Sequence, residues 1–356
     1  MSIVMKPNAT KQELTEVVKL VRSSGLKVDV SSGQFQTVIG IIGEEKKIDF
    51  DQVKSMPGVY DAIRIQVPYR LMSRNYISQS VTVRVKGVEI GDGCEPVYFA
   101  GPCSIESYEQ LHRIGNQIKE AGAQILRGGA YKPRTSVHSF QGLGLEGLKH
   151  LRDVGKDLNI PTVTEVRSEI DVKTVAKYAD CLQIGTRNMY NQDLIEAAAK
   201  ERKPILFKRG FSAQIDEYLS FAERIIAKGN KKILLCERGV APIGGSFKNQ
   251  TRFTLDLNAV PVLRKETPFP VIVDPSHGTG RRDLILPMSR SAIASGAHGL
   301  MVEVHDRPHE ALSDANQSIE PKQLARIIRV CNSIYRTISQ SEAPFSSDVF
   351  NGTNSN

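Results

Sequence analysis

The stretch VYFAGPCSIESYEQLHRIGNQIKEAGAQILRG, residues 97–128, contains a short apolar run, a helical segment and a second apolar run. Leu111, Ile114, Ile118 and Ala121 fall on one face of the helical segment, as expected for a helix that packs on a sheet. The order strand, helix, strand predicts two parallel strands joined by a crossover helix. This unit therefore indicates an α/β fold.

The same strand-and-helix alternation continues to the end of the chain. The apolar runs are VYFAG, AQILRG, PTVTEV, CLQIGT, PILFKRG, KILLCERG, VIVDPSHG and GLMVEVH. Eight such strands over about 240 residues predict a (β/α)8 TIM barrel. An open, doubly wound sheet is the alternative, but no GxGxxG motif follows the first strand.

The residues before the barrel divide into smaller units. Residues 1–70 have the order strand, helix, strand, strand, helix, strand, which predicts a small α+β domain of the ferredoxin-like (βαββαβ) type. Residues 71–79 are predicted to be a linker. Residues 80–93 alternate apolar and polar side chains and predict a β-hairpin that begins the barrel domain, 80–338, and could cap it. The polar tail, 339–356, is predicted to be disordered.

Composition narrows the class of protein. The 356 residues are 40% hydrophobic and 24% charged, as in ordinary globular proteins. No apolar run approaches the roughly 20 residues of a membrane span, and no secretory segment is recognised, so a cytoplasmic protein without a membrane partner is expected. The net charge of +8 is spread along a chain with 6% aromatic residues, which argues against nucleic acid and suits small anionic substrates. Five cysteines without a CxxC pair argue against a disulfide framework.

Polar side chains follow every predicted barrel strand. They are Cys103, Arg127 with Lys132 and Arg134, Glu165, Arg187, Lys208 with Arg209, Glu237 with Arg238, Asp274 with His277, and Glu303 with His305. Each of them alone could be an ordinary charged loop residue in water. Because active sites of TIM barrels lie at the carboxyl ends of the strands, the whole set predicts a site at this rim.

The cations of this rim predict anionic ligands. They are Arg127, Lys132, Arg134, Arg187, Lys208 and Arg238. Because these cations repel one another, anions are expected between them. Phosphate and carboxylate groups suit the paired N–H donors of arginine and the mobile charge of lysine. In KPRTS, residues 132–136, the proline keeps the chain extended, so that both cations can point the same way beside two hydroxyl groups. This loop is predicted to hold a sugar phosphate.

A second group of side chains has two interpretations. Cys103, His277, Glu303 and Asp314 could hold a divalent transition metal. They come from separate loops, so their spacing in the sequence gives no independent support for a metal site. Alternatively, nearby cations could lower the pKa of the Cys103 thiol and make it a nucleophile. The residue types alone leave both interpretations open.

The motifs AGPCSIES, LRGGAYKPRTS, FQGLG, QIGTRNMYN, FKRG, CERG, VDPSHGTG and VEVH followed by Asp314 resemble those of the 3-deoxy-D-arabino-heptulosonate 7-phosphate (DAHP) synthases. The resemblance is to the type I-beta branch, whose members can carry an N-terminal ferredoxin-like regulatory domain. It implies a condensation of phosphoenolpyruvate with D-erythrose 4-phosphate and water to DAHP and phosphate. This reaction is the first step of the shikimate pathway toward chorismate and the aromatic amino acids.

The resemblance also implies roles for individual residues. One divalent metal ion, Mn²⁺ first and Fe²⁺, Co²⁺, Zn²⁺ or Cd²⁺ as alternatives, would be held by Cys103, His277, Glu303 and Asp314. Phosphoenolpyruvate would be bound by Arg127, Lys132, Arg187, Lys208 and Arg238. Erythrose 4-phosphate would be bound by Pro133, Arg134, Thr135 and Ser136. The catalytic candidates are Lys132, as a proton donor, with His277 and Cys103. Glu165 and Asp274 would align cations or a water molecule, and His305 would be a spectator or a proton shuttle.

Two other functions remain as alternatives. The sister enzyme, 3-deoxy-D-manno-octulosonate 8-phosphate synthase, uses arabinose 5-phosphate, and its loop reads Lys-Ala-Asn-Arg-Ser-Ser where this chain has Lys132-Pro-Arg-Thr-Ser136. A non-catalytic phosphate-binding barrel is the second alternative, against which the complete residue set argues. The resemblance further implies a homotetramer and feedback inhibition by tyrosine or phenylalanine through the N-terminal domain, for which a purely structural role is the alternative.

Overall fold

A computed structural model describes residues 2–33, 36–42, 47–63, 67–132, 140–242 and 250–341. Strands β1 to β14 are Ser2–Met5, Lys27–Ser32, Thr37–Ile42, Val59–Ile63, Val83–Val85, Val88–Ile90, Val97–Gly101, Ile125–Arg127, Thr162–Val166, Cys181–Ile184, Ile205–Lys208, Ile233–Glu237, Val271–Val273 and Gly299–Glu303. Helices α1 to α11 are Lys11–Ser23, Phe50–Lys54, Tyr108–Glu120, Leu145–Asp157, Val172–Tyr178, Gln192–Lys200, Ile215–Ala227, Ala259–Glu266, Pro275–Thr279, Arg282–Ala294 and Pro321–Ser341.

Strands β7 to β14 form a closed parallel barrel in chain order, and β14 pairs with β7 to complete it. The predicted TIM barrel is therefore confirmed. The last part of the predicted strand segment VIVDPSHG is helical, however, because α9 begins directly after β13. Asp274 caps this helix, with its Oδ1 accepting a hydrogen bond from the backbone N–H of His277 at 2.9 Å. The cap and the proline after it are ordinary helix-start signals.

The predicted hairpin consists of β5 and β6 and closes one end of the barrel. Val83, Val85 and Ile90 pack in one apolar cluster with inward-facing residues of the barrel strands, including Val97 and Ile125. Val97 and Ile125 are the first residues of β7 and β8, so the hairpin caps the amino ends of the strands. The carboxyl ends are left for the polar side chains.

The N-terminal unit is the predicted ferredoxin-like fold. Its antiparallel sheet has the order β2-β3-β1-β4, and α1 and α2 lie in the chain as the pattern requires. Thr10 begins α1 with a capping box, in which Thr10 and Glu13 exchange side-chain and backbone hydrogen bonds. Ile3, Val17 and Ile39 are fully buried in the core between sheet and helices.

The segment 71–79, predicted to be a linker, is packed against its surroundings. Met72 is fully buried, and the backbone N–H of Leu71 donates to Glu223 Oε1 at 2.5 Å. The ring of Tyr76 lies over Gly40 of β3, where a Cβ atom would come within 1.7 Å of the ring. The Tyr76 hydroxyl donates to Asp29 Oδ2 at 2.6 Å. The N-terminal sheet is therefore held to the barrel by specific contacts of this segment.

The C-terminal helix extends further than the sequence pattern suggests. Because α11 ends at Ser341, the prediction of a disordered tail is wrong for residues 339–341. The remainder of the predicted tail, 342–356, lies outside the described residues. None of the described helices combines the length and the apolar character that a membrane span requires.

Candidate active site

Three of the four predicted metal ligands meet at the carboxyl end of the barrel. Cys103, Glu303 and Asp314 offer one thiol and two carboxylates whose donor atoms all lie within 4.8 Å of one another. Cys103 follows β7, and Glu303 is the last residue of β14, its partner strand. The closure of the barrel therefore brings together residues that are about 200 positions apart in the chain. We call these three residues the donor cluster.

The fourth predicted ligand, His277, lies at the edge of the donor cluster. Its Nε2 is 3.5 Å from Glu303 Oε1, and its Nδ1 is 2.7 Å from Asp274 Oδ2. Burial lowers the pKa of His277, although the Asp274 carboxylate opposes this shift. A neutral imidazole whose Nδ1–H donates to Asp274 presents the lone pair of Nε2 toward the cluster, as in metal-ligating histidines.

The thiol of Cys103 is buried among polar groups. Its Sγ is 2.9 Å from Lys132 Nζ, 3.0 Å from Ser313 Oγ and 3.0 Å from Asp314 Oδ2. Burial raises the pKa of the thiol to about 12, and the Glu303 carboxylate adds to the effect. The expectation of a lowered thiol pKa is therefore wrong, because burial outweighs the nearby cations. This environment disfavours a free thiolate nucleophile.

The donor cluster fits a divalent cation. A thiol, two carboxylates and an imidazole are a ligand set that divalent transition metals accept. The Glu303 carboxylate is fixed by Arg127 Nη1 at 3.0 Å from its Oε1 and by Gln317 Nε2 at 2.6 Å from its Oε2. The buried Glu303 carboxylate and the half-buried Asp314 carboxylate repel each other, and a cation between them would offset this repulsion.

A cavity of about 110 Å³ adjoins the donor cluster. All five residues predicted to bind phosphoenolpyruvate line it, together with Glu165, His277 and Asp314. The five are Arg127, Lys132, Arg187, Lys208 and Arg238. The predicted erythrose 4-phosphate residues Pro133, Arg134, Thr135 and Ser136 follow Lys132 directly but lie outside the described residues.

The cations of this cavity differ in how they are paired. Arg127 pairs with Glu303, and Lys208 Nζ lies 2.5 Å from Asp274 Oδ2. Burial alone would raise the pKa of Asp274, but its interactions with His277 and Lys208 outweigh burial and hold this pKa well below its usual range. Asp274 thus aligns one cation and one imidazole, which agrees with its predicted supporting role.

Two arginines of the cavity have no carboxylate partner within the described residues. The guanidinium groups of Arg187 and Arg238 lie over the Phe211 ring, 5.7 Å and 5.2 Å from its centroid. Arg238 also lies 4.0 Å from the centroid of the Phe253 ring, and burial lowers its pKa to about 10. Arg238 is buried, and a buried cation without a carboxylate partner is costly, so Arg238 is suited to an anion in the cavity, which the exposed Arg187 can also reach.

A further unsatisfied group belongs to Arg127. Its Nε is buried and has no hydrogen-bond partner within the described part of the chain, whereas its Nη1 binds Glu303 and the Pro102 carbonyl. Buried polar atoms nearly always have partners. Because Arg127 lines the cavity, an acceptor atom of a bound ligand could satisfy this Nε–H.

Glu165 has a fixed place in the cavity wall. Its Oε2 accepts a hydrogen bond from Gln183 Nε2 at 3.1 Å. A Cβ atom at Gly185 would lie 2.1 Å from Glu165 Oε1, so only glycine at this position leaves room for the carboxylate. This geometry suits the predicted alignment of a cation or a water molecule by Glu165.

Some polar residues at the strand ends have structural partners instead of facing the cavity. Arg209 Nη1 binds Glu237 Oε2 at 3.0 Å and Asp256 Oδ2 at 2.8 Å. His305 Nδ1 accepts the backbone N–H of Arg307 at 3.0 Å, and its Nε2 lies 3.3 Å from Gln110 Nε2. Each of the eight strand ends still contributes a residue to the cavity or the donor cluster, but not every polar residue predicted there does so, and His305 fits the spectator role.

Several residues of the cavity or the cluster surroundings were not predicted from the sequence, among them Phe211, Arg252, Phe253 and Gln317. Phe211 and Phe253 stack with ring centroids 5.3 Å apart, and Arg238 rests on both. Phe211 lies three residues after the end of β11, and this position at a strand end could have indicated that it belongs to the site. Arg252, Phe253 and Gln317 come from loops without a strand register, so no pattern could have indicated them.

The chain matches known proteins over both units. Residues 74–339 match the DAHP synthetase I family, and residues 1–67 match the DAHP synthase ferredoxin-like domain. The chain is 47% identical over 320 residues to the phospho-2-dehydro-3-deoxyheptonate aldolase of Thermotoga maritima, covering 90% of this chain and 93% of that protein. It is 30% identical over 280 residues to a 2-dehydro-3-deoxyphosphooctonate aldolase of Acidithiobacillus ferrooxidans, covering 74% of this chain and 97% of that protein.

Two solved structures from Thermotoga maritima have the same fold. The crystal structure of a phospho-2-dehydro-3-deoxyheptonate aldolase (DAHP synthase) superposes with a TM-score of 0.74 and 44% identity, covering 95% of this chain and 97% of that one. A truncated form of 3-deoxy-D-arabino-heptulosonate 7-phosphate synthase superposes with a TM-score of 0.70 and 43% identity, covering 76% of this chain and 98% of that one.

Proposed function

Because the chain belongs to the DAHP synthetase I family, we propose that its barrel condenses phosphoenolpyruvate with D-erythrose 4-phosphate and water to DAHP and phosphate, the first step of the shikimate pathway. One observation carries the proposal. A single cleft joins five cations to a cluster of one thiol, two carboxylates and an imidazole. The reaction brings two phosphates, a carboxylate and an aldehyde into one place, and this cleft offers partners for all of them.

Phosphoenolpyruvate is assigned to the cavity beside the donor cluster. Arg187 and Arg238 would bind its phosphate, since both guanidinium groups face the cavity without a carboxylate partner in the described residues. Arg127, Lys132 and Lys208 would bind its carboxylate and the remaining phosphate oxygens. In this arrangement the two arginines also stabilise the negative charge of the phosphate as it leaves.

One divalent metal ion is assigned to Cys103, His277, Glu303 and Asp314, with Mn²⁺ first and Fe²⁺, Co²⁺, Zn²⁺ or Cd²⁺ as alternatives. Such an ion supplies Lewis-acid polarisation of the aldehyde oxygen of erythrose 4-phosphate. The support is the chemistry of the donor cluster and the orientation of the His277 ring by Asp274.

The chain's own residues would orient the reactants and move a proton. C3 of phosphoenolpyruvate attacks the aldehyde carbon, water adds at the former C2, and phosphate leaves by cleavage of its C–O bond. Lys132 Nζ lies beside the donor cluster, 2.9 Å from Cys103 Sγ, and also lines the cavity. From this place it would donate a proton to the aldehyde oxygen as the carbon–carbon bond forms. Glu165, held by Gln183, would align a cation or the attacking water.

The choice of sugar is tested by comparing two aldoses. The purified protein is expected to consume phosphoenolpyruvate with erythrose 4-phosphate at a kcat/KM about 100-fold higher than with arabinose 5-phosphate. The match to a 2-dehydro-3-deoxyphosphooctonate aldolase makes that enzyme's activity the second candidate, although its 30% identity is below the 47% of the heptonate relative. Preference for arabinose 5-phosphate would reject the assigned substrate, and mass spectrometry of the product would identify the alternative.

We further infer that tyrosine or phenylalanine inhibits the barrel through the N-terminal unit. Residues 1–67 match a ferredoxin-like domain of DAHP synthases, and Tyr76 links this unit to the barrel through Asp29 and Gly40. A bound effector that shifts the sheet would therefore act on a segment packed against the barrel. The homotetramer and the cytoplasmic location stay predictions, the first of which a mass measurement in solution tests.

Deletion of residues 1–66 is expected to remove inhibition by either amino acid and to leave condensation active, because all assigned site residues follow position 100. The deletion keeps the packed residues Tyr69 and Met72. A truncated relative covering 76% of this chain has a solved structure, which supports folding of the shortened form. Inhibition curves for both chains give the result. Inhibition that survives the deletion would leave the N-terminal unit with a structural role only.

A further inference from the structure

A buried glutamine lies behind the donor cluster and has no role in the assignment above. Gln317 is 3% exposed and belongs to the 3-10 turn Ala315–Gln317, which begins directly after Asp314. Its Nε2 lies 2.6 Å from Glu303 Oε2, and its Oε1 accepts a hydrogen bond from Arg252 Nη1 at 3.0 Å. The two ends of one amide thus contact a carboxylate of the donor cluster and a cation from another loop.

Arg252 continues the connection to the second carboxylate. Its Nη1 also lies 3.4 Å from Asp314 Oδ1. The series Glu303, Gln317, Arg252, Asp314 therefore links the two carboxylates on the side away from Cys103, whose Sγ contacts Asp314 Oδ2. The oxygen of Glu303 that faces His277 is Oε1, which Arg127 Nη1 also contacts at 3.0 Å, whereas Gln317 contacts the other oxygen, Oε2. Gln317 and Arg252 thus each contact one carboxylate oxygen, Glu303 Oε2 and Asp314 Oδ1.

Gln317 also contacts the backbone of Asp314. Asp314 is in the left-handed region, with φ 51° and ψ 38°, which is unfavourable for a residue with a Cβ atom. The backbone N–H of Gln317 and the hydroxyl of Ser318 both donate to the Asp314 carbonyl, each at 3.2 Å. The turn therefore keeps Asp314 in a conformation that its own backbone preference disfavours, and Gln317 takes part through backbone and side chain.

We propose that Gln317 is a positioning residue for the metal site, which sets the separation and orientation of the Glu303 and Asp314 carboxylates together with Arg252. The inference rests on the proposed function for the presence of a divalent cation. Glutamine suits this place because one amide end must donate to a carboxylate while the other accepts from a guanidinium group. Partners of this kind behind metal ligands typically contribute about 10- to 100-fold to metal affinity.

Loss of the amide would remove a partner from Glu303 and the closest acceptor from Arg252. Glu303 is fully buried, so its Oε2 could not turn to water, and Arg252 would lose the acceptor that holds it near Asp314. The carboxylates would then adopt several orientations, of which only some suit a cation. The expected consequence is weaker metal binding, with little change in the binding of phosphoenolpyruvate once the metal is saturating.

The test is a calorimetric titration of the metal-depleted full chain with Mn²⁺. Gln317→Met keeps the approximate volume without hydrogen-bonding groups, and its Mn²⁺ Kd is expected to rise by about 10- to 100-fold. Gln124→Met is the matched control, because Gln124 Oε1 accepts the backbone N–H of Tyr98 at the amino end of the barrel. This control is expected to keep the wild-type Kd. Gln317→Asn retains an amide that is too short to reach both partners, and a raised Kd is expected for it as well.

The outcomes separate the inference from the proposed function. A wild-type chain that binds none of the five candidate ions overturns the metal assignment itself. Wild-type binding with an unchanged Kd in Gln317→Met, or in Gln317→Asn if the methionine variant does not fold, overturns the positioning role alone. The double variant with Arg252→Met is expected to lose less affinity than the sum of the single variants, because the two residues act on one connection. Additive losses of Mn²⁺ affinity would contradict the joint action of Gln317 and Arg252.

Discussion

Chelation of the purified protein is expected to lower phosphoenolpyruvate consumption by about 1,000-fold, and Mn²⁺ is expected to restore it. The reason is that the divalent ion is assigned to polarise the aldehyde oxygen, and proton donation by Lys132 alone would not replace it. Cys103, Glu303 and Asp314 offer its donors within 4.8 Å of one another. The rate measured before chelation, after chelation and after addition of each candidate ion gives both the loss and the order of ion preference.

A cysteine pair provides the control for this prediction. Cys103→Ala removes the assigned thiol ligand and is expected to remain nearly inactive at Mn²⁺ concentrations that restore the wild-type chain. Cys94→Ala changes a half-buried cysteine near the hairpin and is expected to behave as wild type. Activity that resists chelation, or a Cys103→Ala variant with wild-type activity and ion affinity, would contradict the metal assignment.

Arg238→Met is expected to lower kcat/KM for phosphoenolpyruvate by about 10- to 100-fold, through loss of charged hydrogen bonds to the phosphate. Arg238 is buried, rests on Phe253 and Phe211, and has no carboxylate partner in the described residues. The phosphate is bound in the substrate and carries more charge as it leaves, so both KM and kcat should change. Steady-state kinetics at saturating erythrose 4-phosphate separates the two effects.

Two further variants show whether the effect depends on the planar guanidinium group of Arg238. Arg238→Lys keeps a charge but neither the paired donors nor the flat contact with the rings, so it is expected to recover only part of the loss. Arg336→Met removes an exposed arginine that pairs with Glu95 and is expected to have wild-type kinetics. Equal losses in Arg238→Met and Arg336→Met would reject the phosphate assignment.

The barrel and the central residues of the cleft could be predicted, because the ends of the strands determine where their side chains lie. Arg127, Lys208 and Glu303 are the last residues of β8, β11 and β14, so the strand register alone brings them to one rim. Asp274 and Pro275 carry helix-start signals that could also have indicated α9 from the sequence. The local sequence pattern was sufficient to place a functional side chain wherever that side chain lies on a strand or helix, or in the few residues directly after it.

Properties that depend on distant loops could not be predicted. Arg209 follows Lys208 directly, yet its partner Asp256 comes from a loop about 47 positions later, which takes Arg209 out of the cavity. The pKa of the Cys103 thiol depends on burial, which the sequence does not display at a loop position. Gln317 and Arg252 meet only because two irregular segments converge behind the donor cluster.

The central claim, that one cleft joins phosphoenolpyruvate to erythrose 4-phosphate, is tested most directly by phosphorus nuclear magnetic resonance of a reaction with both substrates and Mn²⁺. We expect the signals of both substrates to decrease together, and those of inorganic phosphate and one new sugar phosphate to increase in equal amounts. Persistence of the phosphoenolpyruvate signal, or release of phosphate while the erythrose 4-phosphate signal stays unchanged, would contradict the claim.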